Sequence, residues 1–182
     1  MSYQNVNLRE IAQKYKDKLK KIKLCIFDVD GILTDGKVYW AGEEIGFNRQ
    51  FFIQDGYGMK LLQRAGLKVG IITAGESIGV RKRSEYLELD YLYMGKENKS
   101  LALNEILEKE GLTDDEFLYM GDDLFDIPLL KRAGFSATVS EASYEVHEAS
   151  DYITIRTSGN GCVREVIDML RYAQEIIPAV KI

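Results

Sequence analysis

Two carboxylates, Asp28 and Asp30, come directly after the apolar run Leu24–Phe27. That run is typical of a buried parallel strand, and Gly31 allows the backbone to leave the strand in a conformation that other residues rarely adopt. Because side chains alternate along an extended chain, Asp28 and Asp30 should project to the same side, close enough to share one cation. Ionised carboxylates beside an apolar strand are costly unless they are paired or coordinated, so the position favours a metal site over an ordinary polar surface.

Three further polar residues stand at comparable positions along the chain. Thr73 follows the apolar run 69–72, and Asp122 follows the run 117–120 after a single glycine. Lys99 stands at the predicted start of a helix, where a cation opposes the helix macrodipole by roughly 0.3–1 kcal/mol; we therefore expect it either to swing into solvent or to be held for an anion. Because ligands bind beyond the carboxyl ends of parallel strands, these residues should meet the first two carboxylates at one edge of a sheet.

Together these groups are suited to phosphoryl transfer. A set of carboxylate ligands with open positions favours Mg²⁺, whose usual substrate partner is a phosphate. In-line attack on phosphorus needs a nucleophile, neutralisation of the equatorial oxygens and a proton for the leaving group. Asp28 can attack, and Asp30 can protonate the leaving alcohol and later activate water. Thr73 and Lys99 can hold the phosphoryl oxygens, while Asp122 completes the metal site.

The elements that must position these residues alternate between strands and helices. Apolar runs predict strands at 24–27, 69–72, 91–94, 117–120, 135–139 and 152–153. Amphipathic stretches between and after them predict helices at 54–64, from 99 to the stop at Gly111, through Arg132, at 144–149 and from Gly161 onward. This order predicts an α/β fold, a doubly wound parallel sheet with right-handed crossovers. A lead-in helix from Leu8 to Leu19, with Asn7 as its N-cap, precedes the sheet.

One segment departs from the alternation. Lys37–Trp40 and Phe47–Ile53 flank a glycine-bearing turn and predict a projecting β-hairpin within residues 36–53. The hairpin is rich in aromatic residues, so it should cover either the mouth of the site or a neighbouring subunit. Ordinary packing on its own domain is an equal alternative.

Length and composition limit the classes of protein. The 182 residues suffice for one domain with a full core, so residues 1–182 are interpreted as a single domain with a helical lead-in at 1–22. The net charge of -5 argues against a nucleic-acid surface. No apolar run reaches the ~20 residues of a membrane span, and Cys25 and Cys162 do not suggest a disulfide framework. We expect a cytoplasmic protein whose partners are neither nucleic acid nor membrane.

Four motifs in this order resemble those of the haloacid dehalogenase superfamily of phosphohydrolases. They are Asp28-Val29-Asp30-Gly31, Thr73 after Gly70-Ile71-Ile72, Lys99 opening a helix, and Gly121-Asp122-Asp123 with Asp126. The resemblance runs from about Leu24 to Gln174 and narrows, on segments 28–36, 55–58, 121–124 and 158–165, to the capless subfamily that acts on 3-deoxy-D-manno-octulosonate 8-phosphate. It implies a Rossmann-like core without a cap domain, Mg²⁺ as cofactor and a role in lipopolysaccharide precursor synthesis. It also implies a homotetramer whose hairpins pack together and whose neighbouring subunits close each site.

Carried onto this sequence, the resemblance implies roles for particular residues. Asp28 would be the nucleophile that forms an aspartyl-phosphate, and Asp30 the acid/base. The Mg²⁺ ligands would be Asp28, the backbone carbonyl of Asp30, and Asp122, with Thr73 and Lys99 on the phosphate. The substrate-binding positions would be Asp30, Phe52, Lys60, Gly75, Arg83 and Lys99. Asp35, Asp123 and Asp126 are expected to support the metal site, with turn capping as the alternative.

Two of the substrate-binding positions depart from the subfamily. Gly75 stands where an arginine is expected, and Phe52 stands where a polar residue is usual. The sugar acid therefore stays open, and a nine-carbon acid, 2-keto-3-deoxy-D-glycero-D-galacto-nononate 9-phosphate, is an alternative. Enzymes for that acid carry a glutamate at the position of Gly75. Glu76 is one residue away and does not match it.

Two alternatives come from other classes of protein. A phosphoacceptor signalling domain also places acids, a threonine and a lysine at the ends of a parallel sheet. Asp30 argues against it, because an acid two residues after the nucleophile supports turnover, whereas a switch needs a long-lived phosphoaspartate. A catalytically idle subunit whose hairpin serves assembly is the other alternative, and the full motif set disfavours it.

Overall fold

A computed structural model describes residues 6–178 and contains one six-stranded sheet in which every strand pair is parallel. The strand order is β5-β4-β1-β6-β7-β8, so β1 lies at the centre and the chain winds outward from it in both directions. The α/β doubly wound fold expected from the alternation of elements is confirmed. Within the described residues, no separate domain covers the sheet.

The strands are β1 (Leu24–Phe27), β2 (Tyr39–Trp40), β3 (Phe47–Asn48), β4 (Lys68–Ile72), β5 (Tyr91–Tyr93), β6 (Phe117–Met120), β7 (Phe135–Thr138) and β8 (Tyr152–Ile153). The helices are α1 (Leu8–Lys14), α2 (Lys16–Leu19), α3 (Ile53–Arg64), α4 (Ile78–Leu87), α5 (Lys99–Glu110), α6 (Ile127–Arg132), α7 (Tyr144–Glu148) and α8 (Cys162–Ala173). Most bounds agree with the sequence prediction to within a residue or two.

The register of the three central strands brings their carboxyl ends together. Phe27, the last residue of β1, lies opposite Ile71 of β4 and Met120 of β6. The next residue, Asp28, donates its backbone N–H to the Met120 carbonyl at 2.9 Å. The residues that follow these strands therefore share one edge of the sheet, as ligand sites of this architecture require.

Apolar side chains cover both faces of the sheet, which explains why the central strands are uniformly apolar. One face carries α1, α3 and α8, and its buried residues include Met59, Leu62, Val166 and Leu170. The other face carries α5 and α6, with Leu103, Ile106, Leu129 and Leu130. Burying the β1 side chains on both faces fixes the strand, and with it the loop that carries the two carboxylates.

Two predicted elements differ from the structure. The lead-in helix, whose N-cap Asn7 is confirmed by a bond from the Arg9 backbone N–H, is interrupted at Tyr15. The Tyr15 ring packs edge-on against Phe135, and its hydroxyl bonds to the Asp151 carbonyl, which fixes the break.

The prediction that the second hairpin strand runs to Ile53 is wrong. The strand ends at Asn48, and Ile53 begins α3. The chain leaves the ladder at Arg49 because that side chain turns inward, and Phe51 packs against the core. The antiparallel pair itself is present, with Trp40 opposite Phe47.

Neither cysteine forms a disulfide, and both lie in the core. Burial raises the pKa of the Cys25 and Cys162 thiols well above the usual range, so neither is set up as a reactive thiolate. Among the described residues, no helix combines the length and apolar character needed to cross a bilayer.

Candidate active site

The loop after β1 holds the first carboxylates because one glycine permits an unusual approach. Gly31 has φ +82°, and a Cβ at this residue would lie 1.9 Å from Asp122 Oδ2. The Asp122 carboxylate therefore rests directly against the backbone of the loop that carries Asp28 and Asp30. Only glycine can provide both the left-handed conformation and the space.

A buried lysine joins the carboxylates at this edge. Lys99, the first residue of α5, has a side chain with 0% exposure, and its Nζ lies 3.0 Å from Asp28 Oδ1 and 2.6 Å from Asp126 Oδ1. The Tyr119 hydroxyl lies 3.2 Å from the same Nζ. Of the two expectations for Lys99, the solvent-facing one is wrong, because neighbouring carboxylates compensate its charge inside the protein.

Asp126 uses both of its oxygens within the protein. Its Oδ1 accepts from Lys99 and from the Tyr119 hydroxyl at 2.5 Å, while its Oδ2 accepts from the backbone N–H groups of Asp122 and Asp123. Its carboxylate thus fixes the loop that follows β6 and orients Lys99. These bonds support the expected helper role of Asp126, whereas Asp123 caps the following turn through the Leu124 backbone N–H.

The electrostatics of the cluster leave room for a cation. Burial raises the pKa of Asp28 to about 7, although the Lys99 ammonium acts in the opposite direction. Burial, together with the charges of Asp28 and Asp126, raises the pKa of Asp122 to about 7 as well. An added divalent charge would favour the ionised form of both carboxyls.

The donor atoms also fit a hard metal ion. One carboxylate oxygen from each of Asp28, Asp122 and Asp126 lies within 4.8 Å of the other two. Asp122 Oδ1 is buried and has no hydrogen-bond partner among the described residues. Since Asp126 is already committed, Asp28 and Asp122 are the side chains free to bind Mg²⁺.

Asp30 and Thr73 stand on the open side of the cluster. The Asp30 side chain is 35% exposed and is held by Arg49 through two bonds, Nε to Oδ1 at 2.6 Å and Nη2 to Oδ2 at 2.9 Å. Thr73 follows β4, is buried, and accepts the Gly75 backbone N–H on its Oγ1 at 3.2 Å. A Cβ at Gly75 would lie 3.2 Å from Asp30 Oδ2 and 3.8 Å from Thr73 Oγ1, so Gly75 is part of the same wall.

Lys60 and Arg83 lie elsewhere, in a groove between α3 and α4. The groove has a volume of about 410 Å³ and is lined by Ile53, Gly56, Tyr57, Lys60, Arg83, Tyr86 and Leu87. Lys60 pairs with Glu88 at 3.3 Å, and the Arg83 guanidinium lies 5.8 Å from the Tyr86 ring centre. No ion pair or hydrogen bond among the described residues joins either cation to the carboxylate cluster. Phe52, which precedes α3, packs near Gly161.

Sequence reasoning missed two members of this site. Arg49 was read only as part of a hairpin strand, and Tyr119 only as a residue of β6. Each has a signal that is weak without the fold. Arg49 is a cation between the aromatic residues Phe47 and Phe51, and Tyr119 is a tyrosine among apolar strand residues that needs a partner for its hydroxyl when buried.

Comparisons with known proteins agree with this geometry. Residues 60–167 match the family model described as haloacid dehalogenase-like hydrolase. The protein named 3-deoxy-D-manno-octulosonate 8-phosphate phosphatase in Escherichia coli K12 is 38% identical over 159 residues, covering 86% of this chain and 83% of that protein. Its namesake in Haemophilus influenzae is 34% identical, with coverage of 87% and 88%.

A solved structure shares the fold over nearly the whole chain. It is the 3-deoxy-D-manno-octulosonate 8-phosphate phosphatase from Moraxella catarrhalis in complex with a magnesium ion, a phosphate ion and a KDO molecule. The TM-score is 0.85 at 36% identity, covering 90% of this chain and 93% of that one. The similarity therefore extends over most of the length of both chains.

Proposed function

Since the chain belongs to the haloacid dehalogenase-like hydrolases, we propose that it is a Mg²⁺-dependent phosphatase that hydrolyses 3-deoxy-D-manno-octulosonate 8-phosphate to the free sugar acid and phosphate. The observation that carries the proposal is the buried contact of Lys99 with Asp28, with Asp122 facing the same point. A nucleophile, a cation and a free metal ligand thus stand where a phosphoryl group can be held. We assign the reaction to lipopolysaccharide precursor synthesis, the role that the family resemblance implies.

The chain's own residues account for each step. An Asp28 oxygen attacks phosphorus, the bond from phosphorus to the sugar oxygen breaks, and Asp30 gives that oxygen a proton, which releases the sugar acid as an alcohol. Water then attacks the phosphorus of the aspartyl-phosphate and gives a proton to Asp30. The bond to Asp28 breaks, which releases phosphate, restores the Asp28 carboxylate and leaves Asp30 protonated for the next cycle. Thr73 and Lys99 hold the phosphoryl oxygens throughout.

Asp28, Asp122 and the backbone carbonyl of Asp30 would hold Mg²⁺. When bound, the ion neutralises charge on the phosphoryl oxygens and on the carboxylates around it. Asp126 would act indirectly, by holding Lys99 and the loop that carries Asp122. Burial and the neighbouring carboxylate charges raise the pKa values of Asp28 and Asp122, and a bound cation would offset both effects.

Recognition of the sugar acid rests on fewer observations. Asp30 and Gly75 border the carboxylate cluster, whereas Lys60 and Arg83 lie in the neighbouring groove and would contribute positive charge to an anionic sugar. Gly75 places no charge next to the leaving group. Gly75 has neither the arginine expected for the eight-carbon acid nor the glutamate of enzymes for the nine-carbon acid, so hydrolysis of the nine-carbon homologue stays the second candidate function.

We also propose that the protein assembles as a homotetramer in the cytoplasm. The hairpin exposes apolar side chains to an extent that favours coverage by a neighbour: Val38 50%, Tyr39 48%, Trp40 54% and Phe47 59%. No second domain closes the site among the described residues, and phosphoryl transfer benefits from exclusion of water, so a neighbouring subunit is a suitable lid. The free, buried cysteines agree with a reducing compartment.

The proposal is tested by phosphate release in the presence of Mg²⁺. The substrates are 3-deoxy-D-manno-octulosonate 8-phosphate, the nine-carbon homologue and a panel of simple sugar phosphates, with Asp28→Asn as the inactive control. We expect the eight-carbon acid to have the highest kcat/KM. Preference for another substrate would replace the sugar acid but keep the chemistry, whereas no turnover of any phosphate ester would contradict the proposed function.

A further inference from the structure

Arg49 lies behind Asp30 in the wall of the site. Its side chain is 6% exposed, whereas that of Asp30 is 35% exposed, so the guanidinium is on the protein side of the pair and the carboxylate is on the open side. The two bonds, 2.6 Å from Nε to Oδ1 and 2.9 Å from Nη2 to Oδ2, engage both carboxylate oxygens at once. Pairing at two points fixes the plane of the carboxylate as well as its position.

Apart from Arg49, the Asp30 carboxylate has one weak hydrogen-bond partner among the described residues. This is the Thr34 hydroxyl at 3.5 Å, the outer limit of a hydrogen bond. Gly75 lies next to both members of the ion pair: a Cβ added there would lie 3.2 Å from Asp30 Oδ2 and 3.5 Å from Arg49 Nη2. The glycine leaves space for the ion pair and provides no side chain that could replace it.

The stability of the fold does not explain why an arginine is buried at position 49. Nη1 of Arg49 is buried and has no hydrogen-bond partner among the described residues. A buried charge with an unpaired N–H group is expensive, and a buried ion pair of this kind is weak grounds for a stabilising role. What the buried arginine provides is a two-point contact that orients the Asp30 carboxylate.

We propose that Arg49 is a positioning residue, which aims the Asp30 carboxylate at the oxygen that leaves phosphorus. This inference rests on the proposed function. In the acid form, one Asp30 oxygen carries the proton that goes to the sugar oxygen, while the other stays bonded to Arg49. The proton is transferred only within hydrogen-bond reach, and displacements of about 1 Å can cost on the order of 100-fold in rate. The segment that follows β3 thus supplies a residue to the chemistry.

The experiment compares leaving groups. Arg49→Met and Arg49→Lys are assayed on the preferred sugar phosphate and on p-nitrophenyl phosphate, whose leaving group departs without a proton. We expect Arg49→Met to lower kcat/KM about 100-fold on the sugar phosphate and less than about 5-fold on the aryl ester. Arg49→Lys keeps the charge without the two-point pairing and should fall between. Equal losses on both substrates would indicate a merely structural role and overturn the inference.

A double-mutant cycle separates positioning from direct substrate binding. If Arg49 acts through Asp30, then Arg49→Met combined with Asp30→Asn should be no slower than Asp30→Asn alone. Additive losses would mean that Arg49 binds the substrate by itself, which contradicts the inference. Thermal melting checks folding, and if Arg49→Met unfolds, Arg49→Lys carries the comparison. An inactive parent enzyme would overturn the proposed function and this inference with it; an active parent with a fully active Arg49→Met would overturn the inference alone.

Discussion

At the scale of single residues, the site is a group of buried carboxylates that share one ammonium group. Lys99 Nζ lies 3.0 Å from Asp28 and 2.6 Å from Asp126, and Asp122 stands beside them with an unpaired oxygen. Burial raises the pKa values of Asp28 and Asp122, and the charge of Asp126 acts in the same direction on both, while the Lys99 ammonium opposes it. The arrangement is complete only with a further cation.

The first prediction concerns the pH dependence of stability in metal-free protein. Burial raises the pKa of Asp28, Asp55 and Asp122 to about 7, above the usual values of unfolded chains. A carboxyl with a raised folded-state pKa contributes most below its unfolded pKa, and the contribution is lost as pH rises through about 7. We expect the melting temperature to fall between pH 5 and pH 8.

Mg²⁺ should reverse part of that loss. At pH 8 saturating Mg²⁺ should raise the melting temperature by at least about 4 °C, and by less at pH 5, where protons compete for the ligands. Asp122→Asn should reduce both the pH slope and the effect of Mg²⁺. Asp55→Asn is the matched control, because Asp55 is equally perturbed but is not in the carboxylate cluster, so it should reduce the slope alone. A Mg²⁺ effect that survives in Asp122→Asn would contradict the metal assignment.

At the scale of elements, the loop after β1 determines whether the metal site can form. Residues 29–33 form a helical turn that is broken at Asp30 and Gly31, and Gly31 brings the backbone against Asp122. The loop also bonds to the segment before α8, through the Ile32 carbonyl and the Gly159 backbone N–H. Its conformation is therefore fixed from two sides.

Gly31→Ala should weaken metal binding. The added Cβ would lie 1.9 Å from Asp122 Oδ2, so the carboxylate must move away. We expect phosphatase activity to fall by about 100-fold or more and the Mg²⁺ concentration for half-activity to rise. Gly66→Ala is the control, since Gly66 has φ +90° but nothing lies within 4 Å of its added Cβ. It should lose about 1 kcal/mol of stability and keep its activity. Equal activity in the two variants would contradict the geometry of this loop.

The elements were easier to predict than the contacts between them. Strands such as β1 and β6 followed directly from apolar runs, because burial on both faces leaves a local pattern. The inward turn of Arg49 left no such pattern, because its partner Asp30 is distant in sequence. The position of Lys99 was likewise ambiguous, since the same residue at a helix start suits solvent or an anion, and only the Asp126 and Tyr119 contacts decide between them.

At the scale of the whole molecule, helices cover both faces of the sheet, whereas the edge formed by the carboxyl ends of β1, β4 and β6 is open to solvent at Asp30. Asp30 remains 35% exposed, and the groove that holds Lys60 and Arg83 lies between α3 and α4. The exposed aromatic hairpin lies on the chain between the catalytic loop and α3. Arg49 directly follows the hairpin and bonds to Asp30, so assembly through the hairpin would place a second chain near the residue that positions Asp30.

The measurement that tests the account most directly is chemical trapping of the phosphorylated residue during turnover. The enzyme is quenched in the steady state with substrate and Mg²⁺, reduced with borohydride, which converts an acyl phosphate to an alcohol, and digested for peptide mass spectrometry. The account predicts reduction at Asp28 alone, dependent on substrate and absent from Asp28→Asn. Reduction at another carboxylate, or turnover with no reducible aspartate, would contradict it.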